Sequence, residues 1–193
     1  MGGVTAKAEC LPQIDQPSIG GLIAIERNVN ILKSKIGYVP GVGKGLFFIN
    51  YLFQKIFRLD SDCPFIKNYT SRVLHADKIE IDSDCSYVLK SFQVSGGCYI
   101  AGNDGIRIGR GTIWAPNVSI ISGTHDFKDF DFAPSTKGIK IGGKCWIGAG
   151  AVILPGVALG DHTIVGANAV VTHSFETGNV VIAGAPVKII RTL

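Results

Sequence analysis

The chain has 193 residues, a net charge of +4, 25 glycines and a single methionine. That length suits one domain with appendages, and so much glycine with so little methionine fits a β-solenoid better than a helical bundle. The charge is mild and no arginine-rich stripe with interleaved aromatics exists, which argues against nucleic acid, and no stretch reaches the roughly 18 uninterrupted apolar residues of a membrane span.

From the amino end, Met1 to Gln16 shows no apolar run and carries Lys7, Glu9 and Asp15, so no secretory signal is expected. The five cysteines (Cys10, Cys63, Cys85, Cys98, Cys145) are scattered without a CxxC pair, so neither a disulfide framework nor a zinc site is expected. Both observations point to the cytoplasm. Residues 1 to 43 read as irregular because Pro12, Pro17, Pro40 and several glycines interrupt them, with Ile19 to Leu32 as an extended or short helical piece.

Gly45 to Leu59 is the best helix. Leu46, Ile49, Phe53, Ile56 and Phe57 recur at helical spacing, flanked by Lys44, Lys55 and Arg58. Two readings stay open: a helix packed on the rest of the protein or a subunit, and an interfacial helix at the inner face of a membrane, whose headgroups suit aromatic and basic residues. Residues 60 to 76 connect this helix to the first coil of a repetitive region.

The organising stretch is Ile141 to Phe175. Every sixth residue is aliphatic (Ile141, Ile147, Ile153, Leu159, Val165, Val171), and a mostly smaller residue stands four positions after each (Cys145, Ala151, Val157, Thr163, Ala169, then Phe175). Alternate side chains of a strand face opposite ways, so both positions point inward on a short extended segment. A core helix is excluded, because the period is six and glycine recurs inside it. Fixed-period repetition of this kind signals a stacked β-solenoid. The register extends upstream through Ile108 with Thr112, Trp114 with Val118 and Ile120 with Thr124. It fits loosely at Gly96 with Ile100, Gly102 with Ile106 and Ile81 with Cys85, and is interrupted around Lys90 to Gly97.

Between Thr124 and Ile141 the pattern stops, and loops carried on rigid scaffolds concentrate function. His125 opens that gap. Imidazole titrates near neutrality and can take the proton of an attacking hydroxyl; a corner histidine satisfied by a backbone carbonyl is the equally open structural reading. Such a base needs an orienting acceptor, and Asn103, about one coil earlier in a Gly-Asn-Asp-Gly corner, is the residue offered for it. Asp126 is adjacent, but neighbours on an extended chain point apart. After the repeats, Glu176 to Val180 reads as a turn and Val181 to Arg191 as a terminal strand and tail covering the solenoid end. The domain scheme is therefore an extension at 1–75, a solenoid at 76–178 with a loop at 125–140, and a tail at 179–193.

Lys137, Lys140, Lys144, His173, Lys188 and Arg191 crowd the C-terminal half. They suit a phosphate-bearing ligand or, equally, a solvated basic face.

The hexads, SGTHDF (Ser122 to Phe127), CWIGAGAVILPGV (Cys145 to Val157), VGANAVVT (Val165 to Thr172) and AGAPVKIIR (Ala183 to Arg191) resemble the hexapeptide-repeat acyltransferases. Within these the chain is most similar to bacterial sugar O-acetyltransferases, including those that decorate surface polysaccharides; GNDGIRIG (Gly102 to Gly109) strengthens that likeness. The resemblance covers about Gly96 to Arg191. It implies a left-handed parallel β-helix with roughly three hexapeptides per turn, a homotrimer, and acetyl-CoA held in a cleft between neighbouring β-helices with no metal. It also implies direct acetyl transfer to a sugar or oligosaccharide with His125 as the base, and an Asn such as Asn103 touching the base or the acceptor hydroxyl. Trp146 would lie beside the pantetheine arm, Ala149 and Ala167 would offer it backbone groups, and Thr172 would stand near the adenosine. His173 occupies a position that is commonly Lys, which leaves Lys188 and Arg191 for the phosphates. Serine or antibiotic acetylation, and a non-catalytic scaffold, remain as alternatives. The zinc-hydrolase type on the same fold is disfavoured, because His125, His162 and His173 share no hexad position while zinc needs converging ligands.

Overall fold

The computed structural model describes residues 37–82 and 85–193; Ile19 to Leu32 lies outside them. The hexads become short strands stacked in three sheets. Sheet A contains β1 (Arg72–Leu74), β3 (Tyr99–Ala101), β6 (Ser119–Ile121), β9 (Val152–Ile153) and β12 (Val170–Val171). Sheet B contains β2 (Ile79–Ile81), β4 (Ile106–Ile108), β7 (Ile139–Ile141) and β10 (Ala158–Leu159). Sheet C contains β5 (Ile113–Trp114), β8 (Trp146–Ile147), β11 (Thr163–Val165), β13 (Val180–Gly184) and β14 (Val187–Thr192).

The chain visits A, B and C in turn, and strands one coil apart pair in parallel: Ile106 lies opposite Ile139, Ile120 opposite Ile153, and Trp114 opposite Ile147. Ile108, Ile120, Ile147, Ile153 and Val171 are fully buried, and the smaller inward positions Thr112, Val118, Ala151, Thr163 and Ala169 are buried with them. Period-two alternation on each side of the coil therefore builds the interior, as the hexads imply. Cys85 and Cys145 fill inward positions as packing residues. The coils stack closely: a Cβ on Gly148 would sit 2.6 Å from the Ala167 nitrogen, so only glycine fits there.

The expected helix at 45–59 is α1 (Lys44–Tyr51), continued by a π-helical turn at Leu52–Ile56. Its apolar stripe is only partly covered: Leu46 and Phe53 are half-buried, Phe53 against the Tyr69 ring. Asn50 and Gln54 are its buried residues, whereas Ile49, Ile56 and Phe57 of the expected stripe are exposed.

Three features of the coils depart from the sequence expectation. Thr124 is exposed instead of inward, because the chain leaves the coil after Ser122. The interruption before Gly97 is a helix, α2 (Ser86–Val94), lying where the first coil would place a sheet C strand. It covers the edge of β5: the Ser91 hydroxyl accepts a hydrogen bond from the Trp114 amide at 3.3 Å, the Ser95 hydroxyl donates to the Trp114 carbonyl at 2.7 Å, and Phe92 packs edge-on to the Trp114 ring at 4.7 Å. An exposed strand edge is thereby closed by side-chain hydroxyls. The tail is two strands, since the chain reverses at Ala185 and Pro186 and β14 runs antiparallel along β13.

Candidate active site

The corner joining sheet A to sheet B is short in most coils: Leu154–Val157 after β9, Thr172–Ser174 after β12, Gly102–Gly105 after β3. After β6 it opens into Gly123–Gly138, which carries His125. The base of this loop is stapled. The Ser122 hydroxyl accepts from the Asp104 amide and donates to the Ala101 carbonyl, both at 3.0 Å. Across the loop neck, the Thr136 amide donates to the Asp104 carboxylate at 2.8 Å and its hydroxyl to the Ser122 carbonyl at 2.6 Å. Gly138 re-enters the coil with φ +67° and lies against the Asp104 and Gly105 carbonyls, where a Cβ would come within 2.6 Å. None of Ser122, Asp104 and Thr136 stood out as loop anchors in the sequence; the usable signal was a serine buried between two hexads.

Inside the loop, the Asp126 carboxylate accepts from the amides of Lys128 (2.7 Å) and Asp129 (3.2 Å), and the Asp126 amide donates to the Phe132 carbonyl at 2.9 Å. This self-bracing turns the Phe130 carbonyl onto His125, whose Nδ1 lies 2.9 Å away. A carbonyl oxygen only accepts, so Nδ1 carries the hydrogen, and in the neutral imidazole the lone pair is on Nε2. The partner of His125 is thus the Phe130 carbonyl, a backbone group as the structural reading of this histidine holds, and not the Asn103 side chain offered as its orienting acceptor. Asn103 does stand beside the loop base: it is exposed, and a Cβ on Gly123 would lie 2.7 Å from its own Cβ.

Trp146 points outward from sheet C, 53% exposed, between Ile113 and Ile164 of the flanking strands. The same outward ladder continues through Val181 to Arg191. Ala149 and Ala167 stack on the corner leading from sheet C into sheet A, where the Asn168 amide donates to the Ala149 carbonyl at 2.8 Å. Gly166, next to Ala167, lies against Ala183, and Lys188 pairs with Ala183. The structure therefore gathers Trp146, Ala149, Ala167, Lys188 and Arg191 on sheet C and its neighbouring corner. Thr172 is elsewhere, on the A-to-B corner, its hydroxyl 3.1 Å from His173 Nδ1. His125 and the alanine corner lie at opposite ends of the sheet A strands of adjacent coils, so one chain alone does not bring them together.

The other histidines are apart. His162 meets Asn179 Oδ1 at 3.2 Å on the B-to-C corner, and His173 stacks on Phe175 at 4.6 Å. His75 is exposed at a left-handed φ of 51° in a corner, not in the apolar setting its neighbours in sequence suggest. A groove of about 850 Å³ on the B-to-C corner is lined by Asp82, Arg107, Arg110, Lys144, Asp161 and His162, with Arg107 and Asp82 paired at 3.1 Å; it is remote from His125 along the coil. Lys140 faces out of sheet B and Lys144 lies in this groove, so the C-terminal cations are spread over several faces. Burial raises the thiols of Cys63, Cys98 and Cys145 above their ordinary range, which keeps them protonated and poorly nucleophilic.

Residues 138–173 match the family model described as bacterial transferase hexapeptide (six repeats). This chain is a hexapeptide-repeat β-helix. The β-helix shares its fold with a galactoside acetyltransferase solved in complex with coenzyme A (22% identity, TM-score 0.57, covering 87% of this chain and 90% of that one). It is also similar to a maltose O-acetyltransferase from Clostridium difficile 630 (19% identity, TM-score 0.53, 90% and 89% covered). A third similar structure is AntD, an N-acyltransferase from Bacillus cereus, in complex with dTDP and 3-hydroxybutyryl-CoA (18% identity, TM-score 0.51, 66% and 79% covered). No curated protein matches in sequence. At these identities the likeness is one of fold, and that fold is the expected left-handed parallel β-helix.

Proposed function

We propose that this hexapeptide-repeat protein is an acyl-CoA-dependent O-acetyltransferase that moves acetyl from acetyl-CoA to a sugar hydroxyl, in the making of a surface polysaccharide. The observation that carries the reading is the 2.9 Å contact of His125 Nδ1 with the Phe130 carbonyl, which leaves Nε2 as a free base on a braced loop. In the reaction, Nε2 takes the proton of the acceptor hydroxyl while that oxygen bonds to the thioester carbon. The tetrahedral oxyanion then collapses, the carbon–sulfur bond breaks, and the departing thiolate recovers the proton from the imidazolium. No acyl-enzyme is needed, in keeping with the protonated state of the buried thiols. Asn103, beside the loop base, is suited to hold the acceptor hydroxyl.

Acetyl-CoA would lie along the sheet C corner, its pantetheine arm against Trp146 and the backbone of Ala149 and Ala167, and its phosphates near Lys188 and Arg191. Thr172 would meet the adenosine from the other side of the cleft. Because His125 is at the far end of the sheet A strands from Ala149, a second copy must present its corner to the His125 loop, and a homotrimer satisfies every loop and corner at once. Phe127 (93% exposed), Phe130 (74%) and Phe132 (56%) on the loop supply the apolar surface for that contact. We read the single chain as an amino-terminal extension, the β-helix with its loop, beginning at β1, and the terminal strands.

The test is thiol release from acetyl-CoA by purified protein of recorded mass, across a panel of sugars and oligosaccharides. Sugar-dependent release by a trimer supports the proposal. A folded protein that neither binds acetyl-CoA nor releases thiol with any acceptor would instead be a scaffold.

A further inference from the structure

We infer that the outer face of α1 and its π-helical continuation rests on an anionic lipid surface. The fully buried positions of the helix are polar, and its apolar side chains are half-buried or exposed. Its buried side is Asn50 and Gln54, four residues apart, and each is fully engaged. Asn50 donates to the Gln93 carbonyl at 3.0 Å and accepts from the Tyr69 amide at 3.1 Å. Gln54 donates to the carbonyls of Cys63 (3.2 Å) and Phe65 (2.8 Å) and accepts from the Lys67 amide at 3.1 Å. These bonds fix the rotation of the helix about its axis. The side turned out is therefore Phe48 (64% exposed), Ile49 (41%), Ile56 (61%) and Phe57 (61%).

A helix on a water-soluble face turns its apolar stripe inward, and a contiguous apolar patch left outside marks an interaction surface. Charge says which kind. From Arg27 to Leu59 the sequence has no acidic residue, while Lys44, Lys55 and Arg58 flank the exposed apolar side chains. Two copies of this face set against each other would bring three cations per copy together against one exposed carboxylate, Asp62, since Asp60 is paired with Lys67 and Arg72, whereas anionic headgroups complement them. The helical run from 44 to 56 is too short to cross a bilayer, and among the described residues no helix is long and apolar enough to do so. A helix of this kind lies in the interface, with aromatic residues at headgroup depth and cations above. The inference does not depend on the acyl-transfer reading.

The experiment is co-sedimentation of the full-length protein with phosphatidylcholine vesicles with and without phosphatidylglycerol. The wild-type chain is expected to pellet with the anionic vesicles and to be released as salt screens the headgroups. Phe48→Ser, Ile49→Ser and Ile56→Ser together are expected to lower partitioning at least about tenfold while leaving the melting temperature and acyl transfer unchanged, since these side chains are exposed on the outer face of the helix. Lys55→Ala with Arg58→Ala should weaken binding about fivefold per charge on anionic vesicles only. Wild-type protein that stays in the supernatant at low salt overturns the inference, and so does a triple variant that binds as well as wild type. Equally contrary is a triple variant whose change is a lower oligomer mass with no vesicle effect, which would assign the face to a second copy.

Discussion

A neutral imidazole carries one hydrogen on two nitrogens, so whatever fixes one nitrogen decides the chemistry of the other. Here a backbone carbonyl does so, and the neighbouring Asp126 is spent on bracing the turn that presents it. The loop that carries His125 was legible in the sequence because it stands where a strict repeat fails. The histidine's partner was not, because a carbonyl has no side-chain signature and its position depends on the loop's own hydrogen bonds. The thiols carry a prediction at the same scale. Burial pushes the Cys63 thiol from 9.0 up to about 12. The folded chain thus holds that proton more tightly than the unfolded chain, so the stabilisation is complete below pH 9 and is lost as pH rises from 9 towards 12. Melting temperature should fall more steeply over that range for wild type than for Cys63→Ala; equal slopes would show that Cys63 does not govern the alkaline limb.

Elements were legible where period and burial agree, and misread where they part. The hexad strands follow from side-chain alternation, and their inward positions are the buried ones. The rotation of α1 was hidden because helical spacing marks an apolar stripe without saying whether the protein or something else covers it; Asn50 and Gln54 decide that through partners distant in sequence. The helix α2 was hidden because its sequence breaks the repeat without announcing a replacement. The His125 loop is held by long-range bonds of the same kind. Ser122→Ala removes the acceptor for the Asp104 amide and the donor to Ala101. A fully buried amide left unpaired costs about 1–3 kcal/mol, and the half-buried Asp104 amide falls at or below the lower end of that range. The variant should melt at lower temperature and lose turnover with little change in acetyl-CoA affinity, since the loop is displaced and the sheet C corner is not. Unaltered turnover in a destabilised protein would separate the staple from catalysis.

For the whole molecule, the stacked hexads set three flat faces and three corners, and the proposed site draws on corners that one chain keeps apart. If His125 of one copy serves the corner of the next, two defective chains complement each other. Co-expressed His125→Ala and Ala167→Trp chains, each inactive alone, should assemble into mixed trimers with about a quarter of wild-type activity, because that share of random interfaces joins an intact loop to an intact corner. Mixed trimers as inactive as either parent would place the site within a single chain.

The most direct measurement is a comparison of wild type with His125→Ala: acetyl-CoA affinity by calorimetry, then sugar-dependent thiol release at saturating acetyl-CoA. Similar affinity is expected, with a turnover roughly 10²–10⁴-fold lower, the usual contribution of a positioned general base. A variant that turns over as fast as wild type would contradict the proposed role of His125.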